Sequence, residues 1–487
     1  MNLLPVLTVF TPLVFTFVVL LCCRKNGFAL RALSLAATLL TFLFTLLMIP
    51  ALVSGRTLGA DVRFFAFPFS VSFQADSLSI FFAVIFAGSF LAAMVYSFGY
   101  LAHSHARLRY YTLLLVCECA ILGVVLTATL VGLFLFFELM AVSSYVLIIH
   151  EEDEDAMFAG SKYLFMTIIA GLAVFFGLAL TYYLSGRIDY LAGGYIGASP
   201  LAKLALFAFL LGFGVKAGMF PLHIWLPDAH PAAPAAFSAL LSGCMIKTGA
   251  YGLIRVFYFL YTPEAVQAAG ADRALLWLAV ITMLLGSAMA LRQDNLKRRL
   301  AYSSIAQIGY ILLGISLGSE HALFGALIHV FAHAVMKGTL FLCAGAIIIQ
   351  TGKKQISELY GIGLQMPVTM AAFALASLSM VGIPPFNGFF SKWHLAVASL
   401  ETGHGVLVAV LIASSLLNAL YYFPVVINAF FPREEKTAAG KKQWLRDEVP
   451  RGMLYATTVL AVCCVVFAFT RPHWPLYFAR QIAAGIF

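Results

Sequence analysis

The chain has 487 residues, 62% of them hydrophobic and only 10% charged, with a mean hydropathy of +0.96. A soluble core does not need that much apolar surface, whereas repeated apolar runs of about 20 residues each span a bilayer, so the chain reads as an all-α polytopic membrane protein. The net charge of +9 is explained by cationic membrane loops more simply than by a nucleic-acid surface.

Fourteen spans are predicted, at 3–23, 32–53, 77–97, 112–129, 131–149, 161–184, 203–226, 235–260, 273–292, 297–318, 321–349, 366–398, 405–431 and 453–470. The first has no basic residue before it and Arg24 and Lys25 after it, the reverse of a signal peptide. The segment 63–74, RFFAFPFSVSFQ, alternates apolar and polar residues and reads as a short external hairpin. The run HEEDED at 150–155 reads as a solvated charge run, with a docking surface as the alternative.

Sorting the 30 Lys and Arg by side places 18 on one face, including Arg107, Arg109, Lys162, Lys297, Arg298 and Arg299, and 8 on the other, including Arg187 and Arg255. The bias puts the first face in the cytoplasm and both termini outside. Four lysines remain inside spans: Lys216, Lys247, Lys337 and Lys392. All eight cysteines fall within or at the ends of apolar runs without C-x-x-C spacing, so neither a disulfide framework nor an iron–sulfur site is expected.

Glu118, in LVCECAIL, and Glu138, in FFELMAVSSYVLI, are the acidic residues well inside spans. Glu138 is the natural partner of a buried lysine, with a purely structural ion pair as the alternative. Glu118 has no basic neighbour in sequence; it is either a protonated, inert group or the partner of a lysine from another span.

Lys216 lies roughly 21 Å into its span at 1.5 Å per residue, and Lys247 is at a similar depth in the next. An ammonium there costs roughly 2.5–3.5 kcal/mol on insertion scales, which favours function over a snorkelling side chain. Between them Pro221 interrupts the helix, and His223, Asp228 and His230 border the break. The clustered glycines of GFGVKAG (212–218) follow no strand and read as close helix packing.

In HVFAHAVMK, His329, His333 and Lys337 recur every four residues and form one polar stripe on a helix. Zinc binding and a satisfied core pair are the alternatives to a proton relay; the motif lacks the glutamate of H-E-x-x-H. GIPPFNGFFSKW (382–393) breaks a second helix at Gly382, Pro384, Pro385 and Gly388, ahead of Lys392. SKYLF at 161–165 is loosely echoed by MKGTLF at 336–341, and the lysines of these segments precede Lys216 and Lys392 by 54 and 55 residues. Breaks at corresponding places in two halves are the pattern of repeat-built transporters, although Lys216 precedes its proline and Lys392 follows its own.

The runs FFELMAVSSYVLI, KAGMFPLHIWLPDAHPAAP, SALLSGCMIKTGAYGLIR, LKRRLAYSSIAQIGY, HVFAHAVMKGTLFL and GIPPFNGFFSKW closely resemble the antiporter-like subunits shared by respiratory complex I, energy-converting NiFe hydrogenases, formate hydrogenlyase and Mrp-type cation/proton antiporters. The resemblance covers most of residues 76–431, and HPAAPA after WLPDA looks nearest to the hydrogenase and formate-hydrogenlyase types. The chain ends soon after its last span, without the long lateral helix of the largest complex I homologue.

The resemblance implies three N-terminal helices and an external hairpin in 1–111, inverted five-helix units in 112–260 and 273–431, and a cytoplasmic loop, a last helix and an external tail in 432–487. It implies that Glu138 and Lys216 are a coupled pair in one half-channel, Lys247 a central connector, His329, His333 and Lys337 the second stripe, and Lys392 the terminal lysine. Lys162, His223, Asp228 and His230 are accessory candidates, and Glu118 falls outside the pattern. The implied protein moves protons, with exchange for Na⁺ left open, in a multisubunit complex of a prokaryotic cytoplasmic membrane. It carries no cofactor itself; iron–sulfur clusters and a NiFe or other redox centre are expected in partner subunits. A secondary antiporter and a transport-inactive membrane scaffold are the alternatives.

Overall fold

The computed structural model describes residues 2–23, 26–60, 71–102, 104–431, 447–469 and 474–487. Residues 63–70 of the hairpin expected at 63–74 and residues 432–446 of the charged loop lie outside the described residues. On either side of the first gap, β1 (Leu58–Ala60) and β2 (Phe73–Ala75) pair antiparallel.

The rest is helical. Helices α1 (Leu4–Cys22), α2 (Gly27–Leu47), α3 (Ile49–Val53), α4 (Ser77–Tyr100), α5 (Arg107–Leu126), α6 (Leu130–Ile148) and α7 (Glu154–Ser185) lead to α8 (Pro200–Ala217). After a break come α9 (Leu226–Ala232), α10 (Ala235–Leu240), α11 (Ile246–Arg255) and the short α12 (Pro263–Ala269). Then follow α13 (Ala271–Leu291), α14 (Leu296–Ser316), α15 (Glu320–Thr351), α16 (Ile362–Gln365), α17 (Pro367–Val381), α18 (Asn387–Glu401), α19 (Val406–Phe430), α20 (Arg451–Phe469) and α21 (Trp474–Ala484).

Among the described residues, eleven helical stretches are long and apolar enough to cross a membrane. The three further predicted spans coincide with α14, which begins LKRRL, with the interrupted pair α17 and α18, and with α20. Charge, interruption and shortness are what separate them from the eleven.

Polar side chains cap the helices where the chain turns: Asp76 accepts from the Ser79 amide at 2.8 Å, Asp153 from Ala156 at 2.7 Å and Ser319 from Ala322 at 3.2 Å. The stretch Ala235–Leu260 is entirely buried and α15 nearly so, whereas α1, α2 and α19 turn most of their residues outward. Ile412, Leu416 and Leu420 form one exposed apolar stripe on α19, as expected of a surface facing lipid. Gly212 lies where a side chain would meet Val174 and the Ala170 carbonyl of α7, the close helix packing predicted for GFGVKAG.

Both breaks begin alike. Gly218 ends α8 at φ +73° and Gly382 ends α17 at φ +89°, a left-handed conformation that glycine adopts without penalty.

Three cations counted as loop charges are buried instead. Arg255 is fully enclosed, bonding Asp76 at 2.6 and 2.8 Å, Ser79 at 2.8 Å and Tyr251 at 2.9 Å. Lys297 donates to the Ala233 carbonyl and Arg299 to that of Tyr421. Each lies near a helix end, where sequence position alone does not separate a loop charge from a helix anchor. In the acidic run, residues 151–155 are exposed as expected, while His150 is buried and stacked on His105. Burial, with Arg109 beside it, pushes the His150 imidazole down to about 4.

Replacing Asp76 with alanine strands the Arg255 guanidinium in an apolar surrounding, a change expected to cost about 3–5 kcal/mol. The thermal midpoint of the detergent-solubilised protein falls accordingly, whereas Arg187→Ala, which breaks an exposed pair with Asp189, leaves it unchanged.

Candidate functional site

Besides Lys297 near a helix end, four lysines predicted inside spans are buried, Lys216, Lys247, Lys337 and Lys392, and each is fully or almost fully enclosed. Sequence reasoning seeks carboxylates for them. The structure supplies neutral oxygens.

Lys216, in the last turn of α8, donates to the Tyr163 hydroxyl at 2.8 Å and sits over the rings of Phe137 and Tyr163. Tyr163 in turn shares a 2.6 Å hydrogen bond with Ser144 of α6. Glu138, one residue beyond Phe137, makes no ion pair with Lys216; its buried Oε1 has no hydrogen-bond partner among the described residues. It packs against α7 at Gly171, where a Cβ would come within 2.2 Å of that oxygen. Glu138 therefore lacks the direct contact with Lys216 expected of a pair, although the Lys216 charge still acts on it.

Lys247 stands on α11 just after a wide turn of the helix, Leu241–Met245, and donates to the Ser242 carbonyl. The Ser242 hydroxyl meets Ser304 of α14 at 2.7 Å. The neighbouring Ser303 accepts from Lys337, which also donates to the Leu300 carbonyl at 2.7 Å and to Tyr422 at 3.2 Å. Lys247 and Lys337 thus lie on either side of Ser242 in the wide turn and the adjacent Ser303 and Ser304 of α14.

Up α15 from Lys337, the His333 and His329 rings stack at 5.9 Å, and His329 Nδ1 meets Ser391 of α18 at 2.9 Å. Neither ring nitrogen of His333 has a partner among the described residues. Tyr310 of α14 lies between His329, stacked at 5.1 Å, and Lys392, whose ammonium is 4.9 Å from the ring centre.

Lys392 donates to the Met380 and Val381 carbonyls at 2.8 and 3.0 Å and to Ser415 at 3.1 Å. With its amide turned so that the carbonyl faces donors, Asn418 also accepts from Lys392 at 3.1 Å and from Gln307 at 2.9 Å. Met380 and Val381 end α17. Lys392 reaches back across its break to the C-terminus of the preceding half-helix, the position that Lys216 occupies by sequence. This accounts for the mismatch in order: both ammoniums lie at the negative end of a half-helix.

Between Tyr163 and Lys247 the polar contacts pass through sulfur. Tyr163 approaches Met245 Sδ at 3.8 Å and Thr248 approaches Met140 Sδ at 3.7 Å. The two halves of the row therefore meet at a weakly polar junction.

Of the accessory candidates, Asp228 bonds Lys162 at 2.7 Å and Arg298 at 2.5 Å, an anchor joining α9 to α7 and α14. His223 stacks on Phe220 at 5.6 Å. His230 is fully buried against Phe341 at 4.4 Å, with neither nitrogen partnered among the described residues. Glu118 is fully buried and neither carboxyl oxygen has a partner among the described residues, so no lysine of another span pairs with it.

Residues 127–418 match the sequence profile of a family described as NADH:quinone oxidoreductase/Mrp antiporter, TM. NADH-quinone oxidoreductase subunit N of Desulforudis audaxviator (strain MP104C) is 36% identical over 477 residues, covering 95% of both chains. Hydrogenase-4 component B of Escherichia coli (strain K12) is 30% identical over 440 residues, covering 83% of this chain and 63% of that one. A chain in the structure of the Mrp complex from Dietzia sp. DQ12-45-1b superposes with a TM-score of 0.89 at 22% identity, covering 100% of this chain and 98% of its own, which is a likeness of fold.

Tyr163→Phe removes the oxygen that receives Lys216, and a hydrogen bond to a charged group contributes about 1.5–3 kcal/mol. The thermal midpoint is expected to fall by the corresponding amount, and by clearly less in Ser144→Ala, which keeps the Lys216–Tyr163 bond.

Proposed function

This chain belongs to the NADH:quinone oxidoreductase/Mrp antiporter transmembrane family, and from that premise we propose that it is a proton-translocating subunit of a redox-driven membrane complex. The observation that carries the proposal is the setting of the four buried lysines. Each ammonium is held by carbonyl or hydroxyl oxygens and none by a carboxylate. A lysine locked in a buried ion pair strands its partner's charge when it loses a proton; a lysine held by neutral oxygens does not. The four can therefore change charge in turn, with His333 and His329 as intermediate stations.

In this reading Glu138 and Lys216 act together in the first half-channel, Lys247 joins the halves, and His329, His333, Lys337 and Lys392 form the second. Glu138 acts on Lys216 through space. The chain crosses the membrane fourteen times, the eleven long apolar helices being joined by α14, the α17–α18 pair and α20. Residues 112–260 and 273–431 form two inverted units, supported by the parallel breaks at Gly218 and Gly382. Both termini lie outside a prokaryotic cytoplasmic membrane.

The relatives do not single out the hydrogenase or formate-hydrogenlyase type expected from HPAAPA, because subunit N of an NADH-quinone oxidoreductase matches at 36%. We assign the redox centres, iron–sulfur clusters among them, to partner subunits. A second reading, a subunit of an Mrp-type secondary Na⁺/H⁺ antiporter, is favoured by the fold likeness to the Mrp complex. The subunits that purify with the chain separate the two: iron–sulfur subunits support redox drive, and only small membrane subunits support the antiporter. A transport-inactive scaffold does not account for four lysines retained at the insertion cost of each.

Lys216→Met and Glu138→Gln are each expected to abolish proton translocation by the complex in reconstituted vesicles while the complex still assembles. Full translocation in either variant contradicts the proposal.

A further inference from the structure

The row of side chains on α15 is longer than its central motif. His321, Gly325, His329, His333 and Lys337 recur every four residues, a line that winds about 160° round the helix from its first turn to its middle and carries polar groups at every position but Gly325. Gly325 fills the gap for a steric reason. A Cβ there would lie 3.1 Å from the Leu395 side chain and 3.2 Å from its amide, so the glycine lets α18 approach α15 closely.

That approach brings two histidines and a carboxylate into a chain. His394 Nδ1 lies 3.0 Å from His321 Nε2, and His321 Nδ1 lies 2.8 Å from Glu401 Oε2. The Glu401 side chain is 54% exposed and that of His321 29%, while His394 is half-buried against Phe324, so the chain runs from solvent inward. On α18, Ser391 is one turn before His394, and i, i+3 side chains share a helix face. Ser391 is the residue that His329 bonds. Arg480 of α21 adds a like charge acting on His394.

We propose that Ser391, His394, His321 and Glu401 form the outlet of the second half-channel, a proton relay from His329 to the surface at the start of α15 and the end of α18. The inference rests on the proposed proton translocation and assigns it an exit. Hydrogen-bond polarity fixes how a proton passes. A carboxylate at Glu401 requires His321 to carry its hydrogen on Nδ1, which leaves Nε2 to accept from His394 Nδ1–H. The nitrogen of each ring on the Glu401 side is thus a donor and the other nitrogen is a lone pair. Ser391 bonds His329 and the Gly388 carbonyl but not His394, so a proton leaving His329 through Ser391 reaches His394 Nε2 through a bridging water. The Nδ1–H bond of His394 then breaks as the N–H bond at His321 Nε2 forms. The Nδ1–H of His321 passes to Glu401, which releases it to water, and each ring regains its first tautomer by losing its Nε2 proton to water and taking one from water at Nδ1. No electrons move, and one proton enters and one leaves. Proton delivery by positioned groups typically contributes 10²–10⁴-fold, so loss of a relay member is a large effect.

The test uses the intact complex in vesicles, energised by its own driving reaction, with His321→Asn, His394→Asn, Glu401→Gln and, as reference, His329→Asn. The relay predicts that His321→Asn and His394→Asn assemble normally and lose translocation about tenfold or more, and that millimolar imidazole added on the Glu401 side alone restores a substantial part of it. Glu401→Gln shows a smaller loss, rescued in the same way. If His329→Asn fails while His321→Asn and His394→Asn translocate at the native rate, the exit assignment is overturned and the proposed function stands. If His329→Asn also translocates at the native rate, the stripe itself is not a conduit. Loss in the outer variants without imidazole rescue assigns these residues a structural role and overturns the relay.

Discussion

A charged amine enclosed by a helical bundle must find oxygens, and the way this chain provides them shapes the rest of the molecule. A carboxylate partner gives the tightest enclosure and fixes the charge, as at Arg255 and Asp76. Along the central row the partners are backbone carbonyls, serines and tyrosines instead. Carbonyls become free where a helix ends or widens, although Lys337 also reaches the Leu300 carbonyl within α14. The structure accordingly has a helix end at Lys216, a wide turn at Ser242 before Lys247, and a second helix end that Lys392 reaches back to cap.

The second break is thus the source of the Lys392 site. A continuous helix through residues 367–401 would consume the Met380 and Val381 carbonyls in intrahelical bonds and deprive Lys392 of them, whereas Lys216 beside the first break is held by the Tyr163 hydroxyl. Gly218 and Gly382 permit the termini, because glycine takes the positive φ angles there without penalty. The serines of α14 serve Lys337 in the same way without a break, since a hydroxyl accepts a bond that the helix does not use.

How much of this was legible in the sequence follows from how rare each residue type is in an apolar run. A lysine inside a span is conspicuous, as are Gly and Pro together, so Lys216, Lys247, Lys337, Lys392 and both breaks could be read directly. Their partners could not. Tyr163, Ser242, Ser303, Tyr310 and Tyr422 are ordinary residues in membrane helices, and only the rotation of each helix shows which face a lysine. The motif LKRRLAYSSIAQIGY contained a usable signal, because Ser303, Gln307 and Tyr310 fall on one face of α14. The expected Glu138–Lys216 contact failed for a related reason. Sequence proximity in charge does not reveal that Phe137 and Tyr163 occupy the space around the ammonium. Arg255, Lys297 and Arg299 were misread because charge near a span end looks like a loop until the neighbouring helix is in place.

The row depends most on its middle, where the two halves meet between methionine sulfurs and the pair formed by Ser242 of the wide turn and Ser304 of α14. Lys247 is the ionisable group at that junction, and its ammonium bonds a carbonyl of its own helix segment, so a neutral, equally long side chain removes the charge while leaving the packing. The most direct measurement is the rate of proton translocation by the intact complex carrying Lys247→Met. The account predicts near-complete loss, with assembly and thermal stability kept. Translocation at the native rate would show that the buried lysines do not form one conducting row.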